Sequence, residues 1–216
     1  NASAINSLVG NASALVNAYA SSGISGLGNE AVTISNTSID ASLLNILDGN
    51  TTGIINASTV STLVGNTSTL INTYSSTGIS GLGNEAVNIN SGEASVSSAN
   101  ILSEATTGLV TATISDGDMA KLVSLRGKNN AYTISISDDS VEASKLIELY
   151  EKTTAKINAS KVGALNGNSA DLNTVYSLSR IIGLGNEKIA ISDKSIDASL
   201  LNILDGNTTG KINAST

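Results

Sequence analysis

Two spacings of apolar residues alternate along this chain. Runs in which every second residue is apolar read as strands: AVTIS from Ala31, IINAS from Ile54, AVNIN from Ala86, LVTATI from Leu109, AYTISIS from Ala131, KINAS from Lys156, KIAIS from Lys188 and KINAS from Lys211. Between them the apolar residues fall at helical spacing. In SIDASLLNILDG, Ile39, Leu43, Ile46 and Leu47 predict one helix face, with Ser38 as the N-cap and Gly49 as the stop. SVEASKLIELYEK repeats the pattern with Val141, Leu146, Leu149 and Tyr150. STVSTLVGNTSTLINTYSS reads as two short helices broken at Gly65 and Asn66, and the copy near Gly167 breaks alike.

The alternation within the strands assigns their faces. Val32 and Ile34, Ile55 and Ala57, Val87 and Ile89, Val110 and Ala112, Ile134 and Ile136, Ile157 and Ala159, Ile189 and Ile191, and Ile212 and Ala214 point one way. Thr33, Ser35, Asn56, Ser58, Asn88, Asn90, Thr111, Thr113, Thr133, Ser135, Asn158, Ser160, Ser192, Asn213 and Ser215 point the other. A sheet that is apolar on one side only is covered by helices on that side. The expected fold is therefore α/β: a repeat solenoid of parallel strands alternating with helices on one face. Right-handed crossovers join strands stacked in sequence order. Helices pack about 8–10 Å apart and strands about 4.8 Å, so the stack curves into a leucine-rich-repeat-like arc without that consensus.

The chain also repeats its letters. GISGLGNEAV at 23–32 recurs unchanged at 78–87 and returns as IIGLGNEKIA at 181–190, while SIDASLLNILDGNTTG at 38–53 is duplicated at 195–210. Aligned Asn-Ala-Ser copies begin at Asn1, Asn56, Asn158 and Asn213. The spacings give about four copies of a 47–55 residue double unit, each with halves of about 23 and 32 residues, the range of solenoid repeats. The copy near residues 86–130 has drifted and lost GLGNE. Residues 1–216 thus read as one uncapped repeat array, a window of a longer chain.

Composition narrows the chemistry. Among 216 residues there is no His, Cys, Trp, Phe or Pro, so the core is aliphatic, and imidazole triads, Cys nucleophiles and zinc sites are excluded. A net charge of −7 argues against nucleic acid, whose phosphates demand a basic footprint. No apolar run approaches the roughly 20 residues of a spanning helix, so membrane insertion is not expected. Few Lys and many Ser, Thr, Asn and Gly residues lean towards an extracellular or cell-surface chain.

Each motif has a plain structural explanation. GISGLGNE has the order G-x-x-G-x-G and precedes a strand, unlike a dinucleotide fingerprint, so positive φ at Gly26, Gly28, Gly81 and Gly83 accounts for it better than a phosphate. Asp116, Asp118, Asp138 and Asp139 are the calcium candidates, but they lack EF-hand spacing, and N-capping suits them better. Sequons start at Asn1, Asn11, Asn36, Asn50, Asn56, Asn66, Asn158, Asn207 and Asn213. Those within strands, Asn56, Asn158 and Asn213, suit an amide ladder. Glu30, Glu85 and Glu187 recur too regularly to converge as an acid/base pair, and an enzyme is not expected.

The strings ISGLGNEAVTIS, SIDASLLNILDGNTTG and INASTVSTLVGNTS resemble tandem repeats of giant extracellular or cell-surface proteins of marine cyanobacteria and other Gram-negative bacteria. The resemblance covers nearly the whole chain and is weakest across residues 90–155. It implies export, through a type I route, and a structural or adhesive role without catalytic residues or cofactor. The expected function is a structural spacer or filament-forming segment whose partners are flanking repeats or other copies of itself, end to end. The alternative is a binding module presenting the polar face of Thr33, Asn56, Asn88, Thr111, Thr133, Asn158 and Asn213 to glycans, a partner protein or ice. No aromatic cluster for sugar stacking accompanies the drift at 90–155, which favours the spacer.

Overall fold

Strands that pair lie one coil of chain apart. Every registered partner is 23 or 24 residues away, as in Leu8 with Val32, Val32 with Ile55 and Ile55 with Ile79, except where a bulge sets Asn66 opposite Ser91. All pairs are parallel. The computed structural model describes residues 1–214. Strands alternate along them with eight helices, an α/β arrangement. Ser215, expected on the polar face, lies outside the described residues.

The chain forms two compact units rather than one body. The first holds Asn1–Ala94 and Asn100–Ala112, and the second holds Ser95–Ala99 and the described residues from Thr113 onward. The division falls in the drifted copy, where the repeat loses its GLGNE segment. In the first unit, β1 (Ser7–Gly10), β2 (Ala31–Ile34), β4 (Ile55–Asn56) and β6 (Ile79–Ser80) make one sheet. β3 (Ser38–Asp40), β5 (Thr62–Asn66), β7 (Ala86–Ser91) and β8 (Val110–Thr113) pair in that order in another. The second unit pairs β9 (Ala131–Ser135), β11 (Ile157–Asn158) and β13 (Ile181–Ile182). Its other sheet is β10 (Ser140–Glu142), β12 (Ala164–Gly167), β14 (Lys188–Ile191) and β15 (Ile212–Asn213).

Each regular coil thus carries a strand in one sheet, a second strand in the other sheet, and then a helix. The helices are α1 (Ala12–Ala20), α2 (Ala41–Asn50), α3 (Thr67–Ser75), α4 (Val96–Ala105), α5 (Met119–Leu122), α6 (Ala143–Tyr150), α7 (Ser169–Ser177) and α8 (Ala198–Asn207). Consecutive strands such as β2 and β3 fall in different sheets, which corrects the expectation of strands stacking one after the next in a single sheet. All eight alternating runs become strands. Seven further short strands are added, two of them where helices were expected. Thr62–Asn66 and Ala164–Gly167 are strands that lead into helices, and Ser38–Asp40 is a strand whose last residue, Asp40, replaces Ser38 as the N-cap.

The core is aliphatic, as composition demands. Val32, Ile34, Ile55, Val87, Val110, Ile134, Ile136, Ile157 and Ile189 are buried, whereas Ile212 and Ala214 are partly or fully exposed because only β14 pairs with β15. On α2 the buried stripe is Ala41, Leu44 and Leu47, and Ile46 faces solvent, so the face is rotated from the one expected through Leu43 and Ile46. The strand ending at Asp40 starts the helix later and shifts its phase. Full burial of each such Leu contributes about 1.5–3 kcal/mol. Among the described residues no helix is long and apolar enough to cross a membrane.

Candidate functional site: buried tyrosine–glutamate clasps

The most concentrated chemistry in the molecule lies beneath the GLGNE loops. Gly28 and Gly83 hold φ of 141° and 127°, a conformation open to glycine, and turn two successive backbone amides inward. Those amides meet the carboxylate of the glutamate that follows. Glu30 Oε2 accepts from Gly28 N–H at 2.8 Å and Asn29 N–H at 3.2 Å, while its Oε1 accepts from the Tyr19 hydroxyl. Glu85 is held by Gly83, Asn84 and Tyr74, and Glu187 by Gly185, Asn186 and Tyr176. Each glutamate is at most 1% exposed.

The next coil closes the clasp. Thr51 Oγ1 donates to the Glu30 carbonyl at 2.8 Å and accepts from Gly53 N–H at 3.0 Å; Thr106 and Thr208 do the same for Glu85 and Glu187. A β-carbon at Gly53 would collide with the Glu30 carbonyl, so the Gly of the TTG string is required for the coils to approach. The clasp is a ladder of side chain to backbone bonds linking one coil to the next.

Charge states follow from this geometry. Burial alone would raise the Glu30 carboxyl, but bonds from Tyr19 and from the Gly28, Glu30 and Asn29 amides outweigh it and hold the group below its ordinary range. Burial first, then the bond to Glu30, pushes the Tyr19 hydroxyl up to about 12; burial and the Glu85 and Glu187 carboxylates raise Tyr74 and Tyr176 further. A carboxylate saturated by three donors and kept ionised is a poor general acid. Each sits in its own coil, so no pair of carboxylates converges on a substrate.

The drifted copy lacks the clasp. Tyr132 takes the place of Glu30: Thr153 Oγ1 donates to its carbonyl at 2.7 Å, as Thr51 does to Glu30. Lys121 stands where Tyr19 would and instead pairs with Asp116 at 2.9 Å. Arg180 lies 3.5 Å over the Tyr150 ring and donates to the Tyr150 carbonyl, where the intact copy joins Ser76 to Asp48.

The four calcium candidates are spread over separate tasks. Asp116 Oδ2 accepts from Val96 N–H at 2.8 Å, a bond that with Lys121 lowers its pKa. Asp118 caps α5 through Ala120 and Lys121. Asp138 Oδ2 accepts from Met119 N–H at 2.8 Å, and the Asp139 carbonyl accepts from Gly163 and Ala164. Asn36 and Asp193 repeat the Asp138 role, capping the first amide of α1 and α7 from the following coil at 2.8 and 2.5 Å. Among the described residues no three acidic groups gather to hold a metal ion.

The polar face is distributed over several sheets. Thr33 registers with Asn56 in one sheet and Asn88 with Thr111 in the other sheet of the first unit. In the second unit Asn158 lies opposite Ser135, two positions beyond Thr133, and Asn213 lies opposite Ala190. No asparagine registers with another at these places. Asn56 and Asn158 instead turn Oδ1 to the amides of Ser58 and Ser160, each at 3.0 Å, which replaces the expected ladder with local turns. Comparisons with family models, with curated proteins and with solved structures find no match.

Proposed function

We propose that this chain is a structural spacer, a run of β/α solenoid coils belonging to a giant extracellular or cell-surface protein of the kind its repeats resemble. The constant step of 23 or 24 residues between registered strand partners carries the reading, because it persists in every sheet of both units. Coils of fixed length add contour without adding a new surface. The most demanding chemistry, the three buried clasps, is directed at neighbouring coils of the same chain and leaves none of its carboxylates free to react. Within each unit, helices are wider than the strands they cover, so successive coils tilt as in a leucine-rich-repeat arc.

The test is duplication. Because Ala31 and Ala86 follow the same GLGNE string, a second copy of residues 31–85 can be inserted after Glu85 without breaking the repeat. Fifty-five residues are about 2.3 coils, so scattering should show a folded particle longer by about 11 Å at roughly 4.8 Å per coil. An unfolded or unchanged particle overturns the spacer. So does saturable binding of the parent chain to a glycan or to ice that is removed by Thr33→Ala with Asn56→Ala, which would establish the polar face as a binding module.

A further inference from the structure

The chain makes one kind of coil-to-coil interface twice and carries its two halves again, unjoined, one near each terminus. Internally, Ser38–Asp40 pairs with Thr62–Val64 and Ser140–Glu142 pairs with Ala164–Asn166. In both, a helix-initiating alanine packs beneath the glycine of the partner strand. The Ala41 methyl would lie 3.4 Å from a β-carbon placed on Gly65, and the Ala143 methyl 3.3 Å from one placed on Gly167. The repeat places Ser195-Ile196-Asp197-Ala198 in the first role and Ser7-Leu8-Val9-Gly10 in the second. Neither half has its partner among the described residues.

The exposures record the missing contact. Ala41 and Ala143 are 0% exposed, whereas Ala198 is exposed; Leu63 and Leu165 are 0% exposed, whereas Leu8 is half-buried. Leu44 and Leu146 are likewise fully buried, while Leu201 lines an open cleft with Asn202, Asp205, Ile212 and Ala214. Val9 is 72% exposed. Residues 195–197 carry no strand, although Ser38–Asp40, with the same letters, is one. The difference between the copies is the presence of a strand to pair with.

We propose that a second copy of this chain docks head to tail, its Ser7–Gly10 strand pairing in parallel with Ser195–Asp197 and its α1 packing on α8. The proposal rests on the reading of the chain as a structural array and names the partner. In register, Ser195 faces Ser7 and Ile196 faces Leu8, as Ser38 faces Thr62 and Ile39 faces Leu63. The Ala198 methyl then fills the space beside Gly10, whose own neighbour there is only Leu15. The helices carry matching polar groups. Asn45 Nδ2 donates to the Thr69 carbonyl at 3.1 Å and Ser76 Oγ to Asp48 at 2.7 Å; their equivalents pair Asn202 with Ala14 and Ser21 with Asp205 across the two copies. One place is shared. The Ala2 amide bonds the Ser25 carbonyl as the Ala57 amide bonds Ser80, so Asn1–Ala4 of the incoming copy occupies the position of Asn213 and Ala214 and must yield to it.

The chain has no cysteine, so placed thiols report the register directly. Parallel neighbours about 4.8 Å apart lie within disulfide reach. Mixing Ser7→Cys with Ser195→Cys under mild oxidation should give the 7–195 heterodimer in large excess over 7–7 and 195–195 products; equal yields overturn the proposal. Ala198→Arg changes an exposed residue, so it should leave the thermal midpoint in place while sedimentation shows association lost. Association that persists in this variant, or a parent chain that stays monomeric at the highest soluble concentration, overturns it. Removal of Asn1–Ala4 should tighten association, and unchanged or weaker association counts against the shared place. A monomeric parent whose 31–85 duplication still lengthens would refute docking and leave the spacer standing.

Discussion

The Tyr74 hydroxyl donates to the carboxylate of Glu85, eleven residues further on and 1% exposed. The pair joins the end of α3 to the start of β7 and anchors the loop between them. Tyr74→Phe leaves the ring in place and removes one of three donors from a buried anion. It should cost about 1–3 kcal/mol, read as a lower urea midpoint at unchanged slope. A variant as stable as the parent would mean that water serves the carboxylate equally well.

The clasps set the limits of stability against pH. Tyr19 is raised from its ordinary value near 10 to about 12, so the folded state binds the proton more tightly than the unfolded state. That contribution is complete below about pH 10 and is lost as pH rises through about 12. Glu30 is lowered, so its contribution is present above the unfolded carboxyl range near about 4.3 and is lost as pH falls through the depressed folded value. Alkaline unfolding should therefore coincide with a steep rise of phenolate absorbance. In Tyr19→Phe the alkaline loss of stability should be shallower, and an unaltered profile would show that the phenol is not coupled to folding.

The strand runs are legible because apolar and polar residues alternate over four or more positions, as in AVTIS and AYTISIS. Ser-Thr-Leu-Val-Gly defeats the same reasoning because Val60, Leu63 and Val64 satisfy helical spacing as well as a short strand does. In the structure Leu63 and Gly65 point inward, and the small glycine is what lets Ala41 approach. Short strands rich in Gly and Asn have little intrinsic β-propensity and exist because a neighbouring coil supplies their hydrogen bonds. The clasp escapes a reading of the letters for a different reason. Glu30, Glu85 and Glu187 have no convergence with one another, yet each follows a tyrosine by eleven residues: Tyr19, Tyr74 and Tyr176. In a chain with five tyrosines that fixed interval is the available signal.

The helical face is tested by paired substitutions. Leu47 and Leu204 are both 0% exposed, whereas Ile46 and Ile203 are 46% and 52% exposed on the same helices. Leu47→Ala and Leu204→Ala should each cost about 2–5 kcal/mol, and Ile46→Ala and Ile203→Ala well under about 1 kcal/mol. Comparable losses at 46 and 47 in chemical denaturation would return the buried face to its sequence-based position through Leu43 and Ile46.

Calcium should leave folding unchanged, because the acidic side chains already have backbone donors. Asp118 closes the first turn of α5, and Asp138 reaches back one coil to the Met119 amide, so each occupies an oxygen that a cation would need. Asp138→Ala should cost about 0.5–2 kcal/mol, the usual loss for a helix cap, equally in calcium and in chelator. Asp116→Asn should lose the ion pair with Lys121 and weaken the bond to Val96. Thermal unfolding at matched ionic strength should give one midpoint with millimolar calcium and with millimolar EDTA. A midpoint raised by calcium in the parent, and not raised in Asp116→Asn with Asp138→Asn, would overturn the capping assignment and establish these carboxylates as ligands.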